Sequence, residues 1–293
     1  MQVVVGNHGV PLIYSDRLIG VGTYLIPYAT EKTWDGLEDI PPDYAIEIWY
    51  GPDVEPPTKV YMSVGKHAQK VLDVENSEWI DKTWNVVGDN TIPHLYGTGI
   101  WRFNNHVYLD AGNAHKSLVG GDNGTWYRTS HDGMTGGIPL SGGYVWTHGG
   151  YAYNSRGAEQ YSVYSPSGND TWRIHQWGID WNPGTAASFY ASSIWEDRGK
   201  VYLSAGETQA VLNIGESKLY RKQWNGLTVF HGEDVWSNGT YTFYSDNKRH
   251  YVLDSESSTW YRIDFGINFY GRYVWTDLHG HWYVNFTHEL HFN

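Results

Sequence analysis

The chain has 293 residues, no cysteine, and 32 acidic against 20 basic side chains, for a formal charge of −12. Disulfides and thiolate metal sites are excluded, and the negative charge repels phosphate backbones and anionic lipid, which argues against nucleic acid or a membrane surface as partner. A hydrophobic content of 40%, with 16% aromatic, is enough to bury a sizeable core, yet no stretch approaches the roughly 20 apolar residues of a spanning helix, so one domain without a transmembrane segment is expected.

The first 21 residues hold two short apolar pieces, Val3-Val-Val5 and Pro11-Leu-Ile-Tyr14, and share no pattern with the remainder of the chain. They are expected to pack beneath the main domain, residues 22 to 293, or to form an attachment arm. Met1-Gln-Val-Val-Val5 has neither the basic start nor the long apolar core of a signal peptide, which points to folding in the cytoplasm of the cell that makes it. Then come Lys32-Thr-Trp-Asp-Gly-Leu37 and two acidic proline segments, Glu38-Asp39-Ile-Pro-Pro-Asp43 and Gly51-Pro-Asp53-Val-Glu55-Pro-Pro57. Solvated loops are the plain reading of such stiff, charged backbone. The functional reading makes Glu38, Asp39, Asp43, Asp53 and Glu55 a docking patch for a basic neighbour.

The rest of the chain is an array. Six Ile/Val-Trp pairs end at Trp49, Trp101, Trp146, Trp195, Trp236 and Trp275, with steps of 52, 45, 49, 41 and 39 residues. That period fits a four-stranded propeller blade. Seven residues after the anchor comes an aromatic, Tyr108, Tyr153, Tyr202, Phe243 and Trp282; in the first unit Tyr61 lies at offset 12 because the proline segment intervenes. Two residues further stands Ser63, Asp110, Ser155, Ser204 or Ser245, in runs such as VYLD and VYLS whose alternation marks a half-buried strand. The anchor therefore lies on strand A and the aromatic on strand B. Strand C follows at Val71-Leu-Asp73, Val211-Leu-Asn213 and Val252-Leu-Asp254, and strand D opens at Trp79, Trp126, Trp172 or Trp260. Five residues on stand Trp84, His131, Trp177 and Phe265, with Trp224 in the fourth unit. An odd offset cannot keep both rings on one face, so a bulge or a strand end must separate them. The last unit has no strand D. Lys32-Thr-Trp-Asp-Gly-Leu37 reads like Lys222-Gln-Trp-Asn-Gly-Leu227, so residues 22 to 34 are expected to supply it, closing an all-β, six-bladed propeller and removing its exposed edge.

Val235 to Asp277, VWSNGTYTFYSDNKRHYVLDSESSTWYRIDFGINFYGRYVWTD, resembles the Kelch motif in its strand B aromatic, its VLD strand and its TW strand. The Kelch double glycine is missing; Ser63-Val-Gly65 and Ser204-Ala-Gly206 occupy much the same place, so the chain looks like a divergent Kelch-like group. The wording of the repeat is also similar, over about residues 32 to 286, to repeats in proteins encoded by bacteriophages and prophages, often near tail genes. The resemblance implies a non-enzymatic binding or structural module. It implies a tail or fibre component of a virion, made in the bacterial cytoplasm and contacting other virion proteins or a host surface glycan.

The anchor tryptophans are placed to pack between blades rather than to stack sugars. The D-to-A connections share one face of a propeller and carry Trp181, Tyr190, His94, Tyr96, Asn268 and Tyr270, a set suited to a carbohydrate or a peptide loop if it is not merely solvated. His279-Gly-His281 and His288-Glu-Leu-His291 do not have metal-site spacing, and no cofactor is implied. Gly121-Asp-Asn-Gly-Thr-Trp126 and Ser165-Pro-Ser-Gly-Asn-Asp-Thr-Trp172 look like imperfect Asp boxes, the structural turns of sialidases, without a recognisable catalytic triad. The competing functions are a carbohydrate-active hydrolase or lyase with a central pocket, and a free lectin.

Overall fold

The computed structural model describes residues 3–5, 11–13, 25–38, 40, 47–51, 59–65, 68–87, 95–103, 106–111, 114–118, 125–128, 141–164, 171–181 and 187–293. Among them there is no α-helix; strands and five single-turn 3-10 segments make up the regular structure. The fold is an all-β propeller with four-stranded blades. Within residues 1 to 21, Val3–Val5 and Pro11–Ile13 pair as an antiparallel hairpin.

Among the described residues the main domain has six sheets, each with an antiparallel core of four strands. The fourth is representative: strand A Ile194–Asp197, B Lys200–Gly206, C Thr208–Asn213 and D Lys218–Arg221. Its hairpins follow from local chemistry. Arg198 and Gly199, both at positive φ, turn A into B, and Asn213 accepts the N–H of Glu216 through its side chain to start the turn into D. The sixth sheet is composite. Val274–Thr276, Trp282–Val284 and His288–Phe292 are joined by Pro27–Glu31, which pairs in register from Pro27↔Phe292 to Glu31↔His288. The expected edge strand is therefore present and covers the open side of this sheet.

The anchors lie on strand A and stack on the facing strand B ring, with centroids 4.5 Å apart for Trp49–Tyr61, 4.3 Å for Trp101–Tyr108 and Trp146–Tyr153, 4.5 Å for Trp195–Tyr202 and 4.4 Å for Trp236–Phe243. The sixth sheet corrects the sequence reading. There Trp275 faces Tyr283, not Trp282, and packs against it at 4.7 Å. The A-to-B turn is one residue longer because the buried Asp277 carboxylate collects the N–H groups of His279 and His281, the His281 ring and the Tyr283 hydroxyl. Trp282 is left on the other face, beside Trp236 of the fifth sheet.

Strand D ends at Asp81, Ile174, Arg221 and Ile263, so a strand end separates the paired rings, as the odd offset requires. His131 lies outside the described residues, as do the two turns resembling Asp boxes up to their final Thr-Trp. Beyond strand D the exiting chain pairs in parallel with the outer strand of the next sheet. Asn85–Val87 joins Thr125–Arg128, Gly178–Ile179 joins Lys218–Arg221, and single bridges link Asp35 to Glu78 and Asn225 to Thr259. Gly36 and Gly226 permit this approach: both have positive φ, and a Cβ there would meet the carbonyl oxygen of Trp79 at 2.2 Å or Trp260 at 2.1 Å.

Apolar clusters lie between successive sheets. One unites Trp195, Trp224 and Phe230 with Tyr244, Tyr251 and Trp260; another unites Trp275 and Tyr283 of the sixth sheet with Val60, Met62 and Trp79 of the first, with Trp34 between them at 5.0 Å from Tyr283. Buried tryptophans fall into two kinds. The anchors place their indole N–H on a partner, whereas Trp34, Trp79, Trp84, Trp126, Trp224 and Trp260 bury theirs with no hydrogen-bond acceptor among the described residues. In the first kind the polar edge is satisfied as the ring is buried. The second kind sits among aromatic rings, and Lys32, Lys82 and Lys222 lie 4.7, 5.0 and 4.4 Å over Trp34, Trp84 and Trp224.

A candidate binding face built by the connecting links

The polar residue two places after the strand B aromatic holds one face of the propeller together. In the fourth sheet the Trp195 Nε1–H donates to Ser204 Oγ (2.9 Å), Ser204 donates to Gln209 Oε1 (2.6 Å), and Gln209 Nε2 donates to the carbonyls of Gly206 (2.7 Å) and Phe230 (3.2 Å). Ser63–Gln69 and Ser155–Gln160 occupy the same register in the first and third sheets. In the fifth sheet His250 replaces the glutamine, contacting Ser245 Oγ through Nδ1 (3.0 Å) and the Ile267 carbonyl through Nε2 (2.9 Å). Burial depresses the His250 pKa below the usual imidazole range, against the opposing pull of the Ile267 carbonyl. In the third, fourth and fifth sheets the strand C side chain, Gln160, Gln209 or His250, reaches a carbonyl of the D-to-A link, at Phe189, Phe230 or Ile267, and fixes that link over its own sheet.

The links are built alike. Leu95–Tyr96, Phe189–Tyr190, Phe230–His231 and Phe269–Tyr270 each pair with the end of strand B, then enter a 3-10 turn that leads into the next strand A. Two-residue strands send successive side chains to opposite faces, so Phe189, Phe230 and Phe269 are buried while Tyr190, His231 and Tyr270 are exposed. The turns pack backbone to backbone. A Cβ on Gly142 would meet Gly99 O at 2.1 Å, on Gly232 Ser193 O at 2.4 Å, and on Gly271 Asp234 O at 2.0 Å.

Two aromatic-cationic units result. Tyr144 lies 6.1 Å from Tyr190 and carries the Arg156 guanidinium 5.3 Å over its ring. Tyr270 carries Arg272 at 5.3 Å and meets Tyr273 edge-on at 6.2 Å. Arg272 is clamped by both Asp234 oxygens, at 2.8 and 2.7 Å, and reaches Glu233 at 2.9 Å, which ties consecutive turns together and raises the Arg272 pKa. Tyr190 is 51% exposed and Tyr270 39%, so part of each side chain is in contact with solvent. Beside the second unit, Lys248, Arg262, Asp264, Gly266, Ile267 and Asn268 line a cleft of about 280 Å³.

Of the predicted binding residues, Tyr190, Tyr270 and Asn268 therefore belong to this face. Trp181 is exposed too, but it follows Asp180, which binds Lys218 of an outer strand (3.0 Å), so it belongs to the periphery. Tyr96 occupies the link position equivalent to Tyr190 by its backbone pairing with Val64, and His94 lies outside the described residues. Among the acidic positions only Glu38 is described, and it is exposed; Asp39, Asp43, Asp53 and Glu55 lie outside. Sequence reasoning missed Tyr144, Arg156, Arg272 and Tyr273. For Tyr144, Arg272 and Tyr273 the signal was the fixed distance of each turn from the following anchor; Arg156 lies on strand B. Among the described residues no group of three or more His, Asp or Glu side chains forms a metal site. His281 is held by Asp277 at 2.9 Å, and His291 by Thr30 at 2.9 Å.

Sheets and links together define a β-propeller. No protein-family model matches this sequence, and neither does any curated protein. Solved structures similar to it include the extracellular domains of the putative one component system and the putative hybrid two component system BT4673 from B. thetaiotaomicron, each at 10% identity, with TM-scores of 0.47 and 0.48. The alignments cover 88% and 90% of this chain but only 39% and 40% of those chains, so it spans well under half their length.

Proposed function

We propose that this chain is a six-bladed, Kelch-like propeller that acts as a non-enzymatic binding module through its link face, with a carbohydrate as ligand. The blade count is supported by six sheets, five built from consecutive strands and one from both ends of the domain, and by the apolar cluster joining the sixth sheet to the first. The observation that carries the binding role is the repeated presentation of Tyr190 and Tyr270, exposed rings braced by arginine-bearing neighbours on relay-fixed links. Rigid, half-exposed tyrosines offer apolar area at low entropic cost, which suits the flat faces of sugar rings. The phage tail or fibre assignment, with another virion protein or a host glycan as partner, rests on the sequence resemblance. Many copies on one particle would let a weak site act through multivalency.

Glycan-array binding of the purified chain is the test, with Tyr190→Ala and Tyr270→Ala as controls. Binding without turnover, weakened about tenfold or more by either substitution, a loss of roughly 1.4 kcal/mol, is expected. An array with no hits, or hits indifferent to both substitutions, refutes the ligand class. Mass spectrometry of purified particles from a producing host tests the virion assignment, which falls if the chain is absent.

A further inference from the structure

The net charge of −12 makes any site for an anion locally conspicuous. Around the link from Asp264 to Tyr270, charges are sorted unevenly. Arg249 is neutralised by Asp246 through two contacts, one of 2.9 Å from Nε and one of 2.5 Å from Nη2. Arg272 is neutralised by Asp234 and Glu233. Lys248 and Arg262, both exposed, have no carboxylate partner among the described residues, and both line the cleft of about 280 Å³ with Asn268 and Gly266. Asp264, the acidic group of the same lining, has one oxygen committed to the Gly266 N–H at 2.8 Å. Both ring nitrogens of His250, which also lines the cleft, are taken by Ser245 and Ile267.

The framework under these groups is fixed. Lys248 follows Asn247, whose positive φ of 76° turns strand B into C, and Asn247 pairs with Phe269 as Asp246 pairs with Tyr270. Arg262 sits on strand D opposite Tyr251. Tyr270 and the cleft therefore share one link, and the unpaired cations lie on the same sheet as the exposed ring. A cleft at the small end of the range for ligand pockets accommodates one charged group or one sugar unit rather than a long chain. At physiological ionic strength the long-range repulsion of the whole molecule is screened beyond about 8 Å, so the two nearby cations dominate the approach of an anion.

We infer that the Lys248–Arg262 cleft is an anion subsite of the link face, taking the carboxylate or sulfate ester of an acidic sugar while Tyr270 receives the sugar ring. This rests on the carbohydrate-binding reading above and narrows it to a substrate class. Asn268 supplies a neutral donor and acceptor at the same wall, fit for a hydroxyl next to the acidic group.

NMR titration of the full chain with glucuronate, glucose and sodium sulfate, repeated on the Lys248→Gln/Arg262→Gln double variant and on Tyr270→Ala, decides the matter. Glucuronate is expected to bind about tenfold or more tighter than glucose, a gap of roughly 1.4 kcal/mol. Sulfate competes with it, the double variant abolishes the preference, and Tyr270→Ala weakens both sugars. Equal affinity for the two sugars, or a preference that survives the double substitution, overturns the subsite and leaves the tyrosine face standing. Sulfate binding with neither sugar bound overturns the carbohydrate reading itself, and the acidic-sugar assignment with it. Sulfated and carboxylated oligosaccharides compared with their neutral parents then separate the two sources of the anion.

Discussion

Ser204 is the middle of a three-group chain, and its hydroxyl is wholly buried. Replacing it by alanine leaves the Trp195 N–H and the Gln209 carbonyl without their partner, a cost of about 1–3 kcal/mol in unfolding free energy measured with denaturant. His250 performs the glutamine's task with a titratable ring. Its folded-state pKa is depressed by burial, so the unfolded chain binds the proton more readily. Stability contributed by the neutral ring is full above the ordinary imidazole pKa of about 6.5 and falls as pH drops through and below that value. His250→Gln, which restores the group used at Gln209, should flatten this acid-side slope in unfolding experiments between about pH 5 and 7. An unchanged slope would mean that His250 does not titrate there. The serines were legible from their fixed offset to the strand B ring. Their partners were not, because Gln69, Gln160 and Gln209 gain meaning only once strand C is set in register against strand B.

The element that most depends on close backbone contact is the 3-10 turn before each anchor. Gly271 would drive a Cβ to 2.0 Å from the Asp234 carbonyl oxygen, whereas a Cβ on Gly215, in an open turn, would meet nothing nearer than 3.6 Å. Gly271→Ala is expected to lower stability by roughly 1–3 kcal/mol through forced backbone movement, and Gly215→Ala to change it by no more than about 0.5 kcal/mol, as surface substitutions usually do. Thermal melts of the two variants compare them directly. A glycine four residues before Trp146, Trp236 and Trp275 was visible in the sequence, and alanine stands there before Trp195. What makes it necessary was not, since the neighbouring turn comes from a unit some forty residues away. The sixth sheet shows the opposite limit. Offset counting chose Trp282 because it reached the right residue type, and only the hydrogen bonds gathered by Asp277 reveal the longer turn that delivers Tyr283 instead.

For the whole molecule the pattern of anchors, strand B rings and strand C runs was enough to place four strands per sheet and to assign Pro27–Glu31 to the last of them. The exposed tyrosine units were only partly legible, because exposure is decided by which member of each two-residue strand faces inward. Removal of residues 25–31 tests the architecture as a unit. It strips the partner from His288–Phe292 and takes Leu25 from the cluster around Trp236 and Phe265. The expected result is a chain that aggregates or elutes as oligomers by size exclusion, the fate of an uncovered edge, rather than a soluble monomer with one loose end. Adding the missing segment back as a free peptide should restore monodispersity in part.

That same pairing sets a timetable for biosynthesis. Thr30 and His291 touch across 261 residues of sequence, so the sheet they share is assembled only after nearly all of the domain has left the ribosome. Until then Pro27–Glu31 has no partner strand, and the meeting of these two strands is the step expected to be slowest and most exposed to aggregation.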